Sequence, residues 1–584
     1  MTQPASTRAA GDTAGSVTGH TDTFARDHLP PAALWPELRF DLPELDYPAR
    51  LNCAAELLDH AAGERVALRG EHATWTYDQL RAQVDRIAHV LRGPLALETG
   101  NRVLLRGTNT PLMAACVLAV IKAGCIAVPT MPLLRARELG AIAGKAKVDA
   151  VLCAQSLRAE LEAVELPPAA RTRTVYFGGA GHDSLSPESP ESLEALMAAQ
   201  PAQFAAADTA LDDICLISFT SGTTGIPKGT MHFHRDVLAI CDCFPRSVLG
   251  SRADDVFIGT PPLAFTFGLG GLLLFPLRVG ACAVLLEKAT PETLLAAIAA
   301  HRATVCFTAP TFYRQMAALV GGADPASRRS VSAGGASAPG FRYDLSTLRR
   351  SVSAGEALPT ATRDAWRSAT GLEMIDGIGA TELLHIFISA ADGNVRPGAT
   401  GKPVPGYQAC VLDQDGRPVG PGVIGRLAVK GPTGCRYLDD PRQADYVLNG
   451  WNLTGDAYEM DADGYFYYRS RTDDMIISAG YNIAGPEVED ALLRHPAVAE
   501  CGVVGRADEQ RGQIVEAHVV LKADVVPSAE LVAQLQDFVK SQIAPYKYPR
   551  AVRFLASLPR TETGKLQRFK LRLPGVGTGA EGGQ

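Results

Sequence analysis

Hydroxyls, glycines and a single lysine crowd the run Thr220-Ser221-Gly222-Thr223-Thr224-Gly225-Ile226-Pro227-Lys228-Gly229. Glycines bare backbone N–H groups, hydroxyls donate hydrogen bonds and the lysine adds charge, so such a loop can wrap phosphate oxygens. The chemistry that suits it is a triphosphate grip. It is not the G-x-x-x-x-G-K-[ST] phosphate loop, which would need glycine at Pro227 and a hydroxyl at Gly229. Farther along stand Thr381-Glu382, Thr454-Gly455-Asp456, the charged run Ser470-Arg471-Thr472-Asp473-Asp474, and Lys565. Taken singly these are ordinary: a Thr-Glu pair caps a helix, T-G-D makes a turn, and a lysine near a chain end is solvated. Their weight comes from their order behind the loop.

The elements that must position these groups alternate. Val103-Leu104-Leu105, Asp213 to Ser218, Val256-Phe257-Ile258, Ala283 to Leu286 and Thr304 to Phe307 read as buried strands, with helices at Pro111 to Ala123, Pro291 to His301 and Tyr313 to Val320. Strands alternating with helices make sheets under helical layers, and the fold class is α/β. Past Gly464 the texture changes. Val515 to Leu521 reads as a strand, Leu531, Val532, Leu535, Phe538 and Val539 give a helix one apolar face, and Arg550 to Leu555 closes the sheet. The expected organisation is a tail over 1–22, a large domain over 23–470, a hinge at 471–474, a small α+β domain over 475–575 and a tail over 576–584. The run Arg328 to Gly334 recurs word for word as Arg349 to Gly355. A solenoid needs at least three copies, so this reads as a local duplication. The second copy, which continues into Glu356-Ala357-Leu358-Pro359, is the functional one.

Composition closes several doors. With 584 residues, Lys+Arg 56 against Asp+Glu 63 and a net charge of -7, the chain lacks a basic nucleic-acid footprint. Its longest apolar runs, Leu112 to Ile121 and Leu269 to Leu286, are too short or too broken to span a membrane, and the opening carries no secretory signal. The 12 cysteines show no C-x-x-C spacing and read as reduced, buried thiols in a cytoplasmic protein.

The loop closely resembles the signature of the adenylate-forming superfamily of acyl-CoA synthetases, firefly-type luciferases and peptide-synthetase adenylation domains. Further segments match in the same chain order, so the resemblance covers nearly everything from Asp46 to Lys570. It implies that Thr220, Ser221, Gly222, Thr223, Thr224 and Lys228 hold ATP phosphates. Ile378-Gly379-Ala380-Thr381-Glu382 resembles the aromatic-Gly-x-Thr-Glu motif, with isoleucine in the aromatic place. Its Thr381 would contact phosphate and its Glu382 would hold Mg²⁺, which favours hard oxygen ligands beside phosphate. Gly355, Glu356 and Ala357 would line the adenine, Asp376 and Gly377 would close its other side, Asp456 would bind the ribose, and Arg471 would also reach the nucleotide. Asp473 would be the pivot of the small domain, Lys565 the lysine that serves adenylation, and Gly480 and Tyr481 the lining of a thiol tunnel.

The resemblance is to the benzoate-CoA ligase branch in particular, and His20 to Pro30 is similar to the 2-aminobenzoate-activating members. Phe265, Thr266, Phe267, Gly268, His385 and Ile386 are the expected acid-binding residues. On a helix, Glu382 and His385 at i and i+3 would share a face, and a flat ring would fit between Phe267 and His385. The implied reaction joins an aromatic carboxylic acid to CoA, at the expense of ATP and with Mg²⁺, through an aryl-adenylate. Two alternatives are loading of a separate carrier protein and a nucleotide sensor without turnover.

Overall fold

The computed structural model of the chain describes residues 17–573 except 60, 179–191, 221–226, 322–342, 473, 479–480, 509–510 and 561–565. Strands with no polar face must be covered on both sides, and two large sheets meet that need together. The first has six strands in the order Thr174–Phe177, Ala150–Ala154, Arg102–Arg106, Ile126–Thr130, Ile214–Thr220 and Lys228–Phe233, parallel but for the last pair. The second has nine strands. At its heart Met374–Gly379, Arg350–Ala354, Val305–Thr308, Val256–Gly259, Cys282–Val284 and Val66–Arg69 run parallel.

Helices fill the space between the sheets. All of His234–Phe244 is buried, and so is every residue of Pro111–Lys122 except Leu112. Both helices share one apolar cluster with strands of both sheets, which is why the 111–122 segment is apolar all round rather than on one face. Thr110 starts it, accepting the Met113 N–H at 3.1 Å ahead of Pro111 in the first turn. A third sheet follows, in which the long strand Trp451–Met460 pairs with Phe466–Arg471.

The last part has its own apolar cluster. Tyr481–Ile483, Ile476–Ser478, Gly512–Leu521, Val498–Asp508 and Ala551–Phe554 form its sheet. Leu531, Leu535 and Val539 pack helix Ala529–Gln542 onto it. This unit rests on the large one through polar contacts. The Thr360 N–H donates to Asp490 at 2.7 Å, Arg314 donates to the Ala499 carbonyl, and Arg560 bridges Glu356 at 3.3 Å and Glu500 at 2.8 Å.

Within the expected tail over 1–22, residues 18–22 are anchored to the large domain. The Thr18 hydroxyl and Gly19 N–H donate to Asp213 at 2.5 and 2.8 Å, His20 is buried, and Asp22 accepts from Asn101 at 2.8 Å. Small polar residues read as disorder, yet here the buried Asp213 carboxylate needs those donors. The second repeat copy supplies strand Arg350–Ala354, and Leu348 just before it is buried in the core. The first copy, 328–334, lies outside the described residues. All 12 cysteines are free thiols and all but Cys410 are buried. Among the described residues no helix is long and apolar enough to cross a membrane.

Candidate active site

Parallel strands bring their C-terminal ends to a common rim, where the chain must turn back. Several of those ends open on one cavity of about 1030 Å³, whose wall includes Thr130, Thr220, Ala354, Gly355 and Gly379. Gly355 has φ +91°, a left-handed conformation that glycine adopts without strain. It turns the chain off the strand's end at the cavity.

The polar end of the cavity is built around Glu382. Thr381–Leu383 is a single tight helical turn directly after strand Met374–Gly379, and it places Thr381 and Glu382 on the wall. Glu382 is buried, 7% exposed. It accepts from the Tyr437 hydroxyl at 2.5 Å, and Lys228 Nζ stands 3.7 Å away. Lys228, the first residue of strand Lys228–Phe233, donates to the same Tyr437 hydroxyl at 3.0 Å. Behind this group His232 is fully buried against the Thr381 backbone, and burial lowers its pKa to about 3. A carboxylate and a hydroxyl side by side on a cavity wall are an all-oxygen donor pair, which fits a hard divalent cation sharing phosphate oxygens.

Farther round, Thr454, Asp456 and Arg471 also face the cavity. Asp456 and Arg471 are paired residues of adjacent strands, with Arg471 Nη1 3.0 Å from the carboxylate and 3.0 Å from the Thr454 carbonyl.

The other end is aromatic. Phe265, Thr266, Phe267, His385 and Ile386 line it, and Phe244, Phe275 and Phe307 stand behind with His385. Burial lowers the His385 pKa to about 3, so it faces this end as a neutral imidazole.

Two expectations are corrected here. Glu382 and His385 do not share a helix: after the tight turn Leu384 takes φ +70°, a strained conformation for leucine, and Ile386–Ser389 is a strand. That reversal, not helical spacing, aims both side chains at the cavity. Nor is there a slot between Phe267 and His385. Their centroids are 5.7 Å apart at 38°, whereas an inserted ring would need roughly 7 Å, twice the van der Waals spacing. Both rings form part of one wall.

Other expected residues stand off the cavity. The Glu356 carboxylate turns to Arg560 and to the Thr311 hydroxyl, which donates at 2.9 Å. Neither Glu356 nor Ala357 lines the cavity. Asp376 is half-buried and stands off the cavity, its Oδ1 has no hydrogen-bond partner among the described residues, and desolvation raises its carboxyl to about 7. Gly377 packs against Ile386 and Gly268 against the Pro261 and Pro262 carbonyls. Tyr481 is 55% exposed and stacks on Tyr546 at 4.6 Å. Ser221, Gly222, Thr223, Thr224, Asp473, Gly480 and Lys565 lie outside the described residues. The ends of two of these segments are placed: Thr220 and Pro227 line the cavity, and a bridge between Arg560 and Leu566 spans 561–565 with Gln567 on the wall.

Tyr437 and His232 are absent from the sequence reading. Neither belongs to a run that would draw notice, and their neighbours at the site come from distant parts of the chain. Cys53, Cys215 and His234 also converge, but His234 Nδ1 already accepts the Cys53 N–H at 3.2 Å in the core.

The sequence profile of the AMP-binding enzyme family matches residues 58–436, and that of the AMP-binding enzyme C-terminal domain matches 487–565. The chain belongs to the AMP-binding enzyme family. Within this adenylate-forming superfamily it falls in the benzoate-CoA ligase branch and is an AMP-forming acid–thiol ligase. A benzoate–CoA ligase of Thauera aromatica is 35% identical over 545 residues, 91% of this chain and 97% of the relative. The structure of the anthranilate CoA ligase AuaEII in complex with anthranoyl-AMP superposes with a TM-score of 0.81 at 34% identity, covering 91% of this chain and 98% of that one. A benzoate CoA ligase from Burkholderia xenovorans LB400 gives 0.78 at 32%, covering 90% and 100%.

Proposed function

We propose that this AMP-binding enzyme is an ATP-dependent aromatic acid–CoA ligase, with 2-aminobenzoate ahead of benzoate as its acid. The observation that carries the reading is the division of one cavity into a polar end at Lys228, Thr381 and Glu382 and an aromatic end at Phe265, Phe267 and His385. An arene carboxylate with its ring among the aromatic side chains directs its charged oxygens at the polar end. The likeness to an anthranilate ligase holding anthranoyl-AMP supports 2-aminobenzoate.

In the first half-reaction a carboxylate oxygen attacks the α-phosphorus of ATP and pyrophosphate leaves. Catalysis of this kind is positioning plus neutralisation of developing charge. The loop through Thr220, Ser221, Gly222, Thr223, Thr224 and Lys228 holds the phosphates, Thr381 donates to the α-phosphate, and Glu382 holds Mg²⁺. When bound, the metal adds positive charge across the phosphate oxygens. Gly355, at the cavity end of its strand, flanks the adenine, Asp456 holds the ribose, and Arg471 reaches the nucleotide. Lys565 enters from the small domain beside the α-phosphate. In the second half-reaction the small domain turns about Asp473, Lys565 withdraws, and the CoA thiol arrives past Gly480 and Tyr481 to displace AMP. Splitting the steps between two arrangements keeps water from the mixed anhydride.

Acid-dependent pyrophosphate release tests the reading. 2-Aminobenzoate and benzoate should support it far better than short fatty acids, with an aryl-CoA formed once CoA is added. Release without CoA-dependent thioester would transfer the proposal to a carrier protein, and nucleotide binding without release to a sensor.

A further inference from the structure

Residues 436–438 run as an added edge beside strand Lys228–Phe233. The Met231 N–H donates to the Arg436 carbonyl and the Leu438 N–H to the Gly229 carbonyl, each at 2.8 Å, with Tyr437 opposite Thr230. Tyr437 is thereby fixed at the point where the phosphate loop rejoins the sheet. Its ring is 1% exposed and meets Tyr446 edge-on at 5.8 Å and 72°, and its N–H donates to Gln443 at 2.9 Å. Backbone and ring are both held, so the hydroxyl has little freedom.

That hydroxyl carries one proton and two neighbours. Lys228 Nζ, 3.0 Å away, can only donate, and an ionised Glu382, 2.5 Å away, can only accept. The direction of the chain is therefore set: Lys228 donates to Tyr437, and Tyr437 donates to Glu382 Oε1. Lysine and glutamate do not hydrogen-bond directly at 3.7 Å. With Oε1 committed to the phenol, Oε2 is the carboxylate oxygen that makes no hydrogen bond to the described residues.

We propose that Tyr437 is a positioning residue for this enzyme's divalent cation: it holds one oxygen of Glu382, presents the other to the metal, and couples that carboxylate to Lys228 at the end of the phosphate loop. The proposal rests on the assignment of Glu382 to the metal made above. Removing the hydroxyl frees the carboxylate to rotate or to pair with Lys228 directly, and either change weakens the metal·nucleotide complex more than the nucleotide alone.

The test is binding of Mn²⁺ and ATP to the full chain, followed by the electron paramagnetic resonance of free Mn²⁺, with metal-free ATP binding measured alongside. Tyr437→Phe should lower affinity for Mn·ATP about tenfold and leave metal-free ATP binding within about twofold. Tyr437→His keeps a ring donor and should retain more of the Mn·ATP affinity, which also serves if the phenylalanine variant folds poorly. Wild-type Mn·ATP affinity in Y437F, or equal losses with and without metal, would overturn the proposal, as would equal losses in the two variants. Glu382→Gln separates the two levels. If it keeps wild-type Mn·ATP affinity, the metal assignment itself falls. If it loses that affinity while Y437F does not, only the role of Tyr437 falls.

Discussion

Lysine 565 and the wall of the aromatic end carry the residue-scale claims. Lys565→Ala should slow adenylate formation by roughly 10²- to 10³-fold, the scale of losing one preorganised charge partner. Thioester formation from supplied aryl-adenylate should stay within a few-fold, and equal losses in the two half-reaction assays would contradict the assigned role. At the aromatic end, a Cβ added at Gly270 would lie 2.4 and 2.8 Å from atoms of the His385 ring. Gly270→Ala must displace that imidazole, so kcat/KM for the aromatic acid should fall about tenfold or more with the KM for ATP little changed. A matching rise in the ATP KM would remove His385 from the acid's wall. Thr381 and Glu382 were legible as neighbours in one short run, and both reach the cavity wall. Tyr437 was not, because its meaning is a contact with two residues far away along the chain.

Strands and turns set the next scale. The strands read at Val103 to Leu105, Asp213 to Ser218 and Thr304 to Phe307 overlap Arg102–Arg106, Ile214–Thr220 and Val305–Thr308, and the helix read at Pro291 to His301 has those ends. Long apolar runs and capped helices are legible because local pattern and burial agree. The turn at Thr381–Leu383 was not. A left-handed leucine followed by a strand runs against local preference and is imposed by the sheet it must rejoin. Between units, Arg560 and Glu356 form an ion pair at 3.3 Å, which the proposed turn of the small domain would break. A partly exposed pair of this kind is worth about 1 kcal/mol or less. Arg560→Ala should therefore slow the adenylating half-reaction by up to about fivefold and leave thioester formation unchanged or faster. A slower thioester step in single-turnover kinetics would contradict that reading.

At the scale of the whole molecule, three buried histidines make the fold acid-sensitive. Burial lowers the pKa of His20 to about 4 and those of His232 and His385 to about 3, each from 6.5. The unfolded chain takes up these protons below pH 6.5 and the folded chain does not. The stability they contribute is therefore fully present above that pH and is lost on acidification towards pH 3 to 4. Each contributes about 1.4 kcal/mol per pH unit within that window. Urea denaturation between pH 7 and 5 should show stability falling with acid, and His232→Gln, if folded, should flatten the slope. An unchanged slope would mean that another group takes up the proton. The layered α/β architecture was legible from the alternation of strands and helices, but the anchoring of Thr18 to Asp22 was not, since it depends on a carboxylate buried elsewhere in the chain. The central claim is that one cavity joins an arene carboxylate to AMP before a thiol takes it. Mass spectrometry of a single turnover with ATP, Mg²⁺ and 2-aminobenzoate, before and after adding CoA, tests it most directly. The account predicts aryl-AMP first and aryl-CoA with free AMP afterwards. Failure to form any aryl-AMP with 2-aminobenzoate, benzoate or the hydroxybenzoates would contradict it.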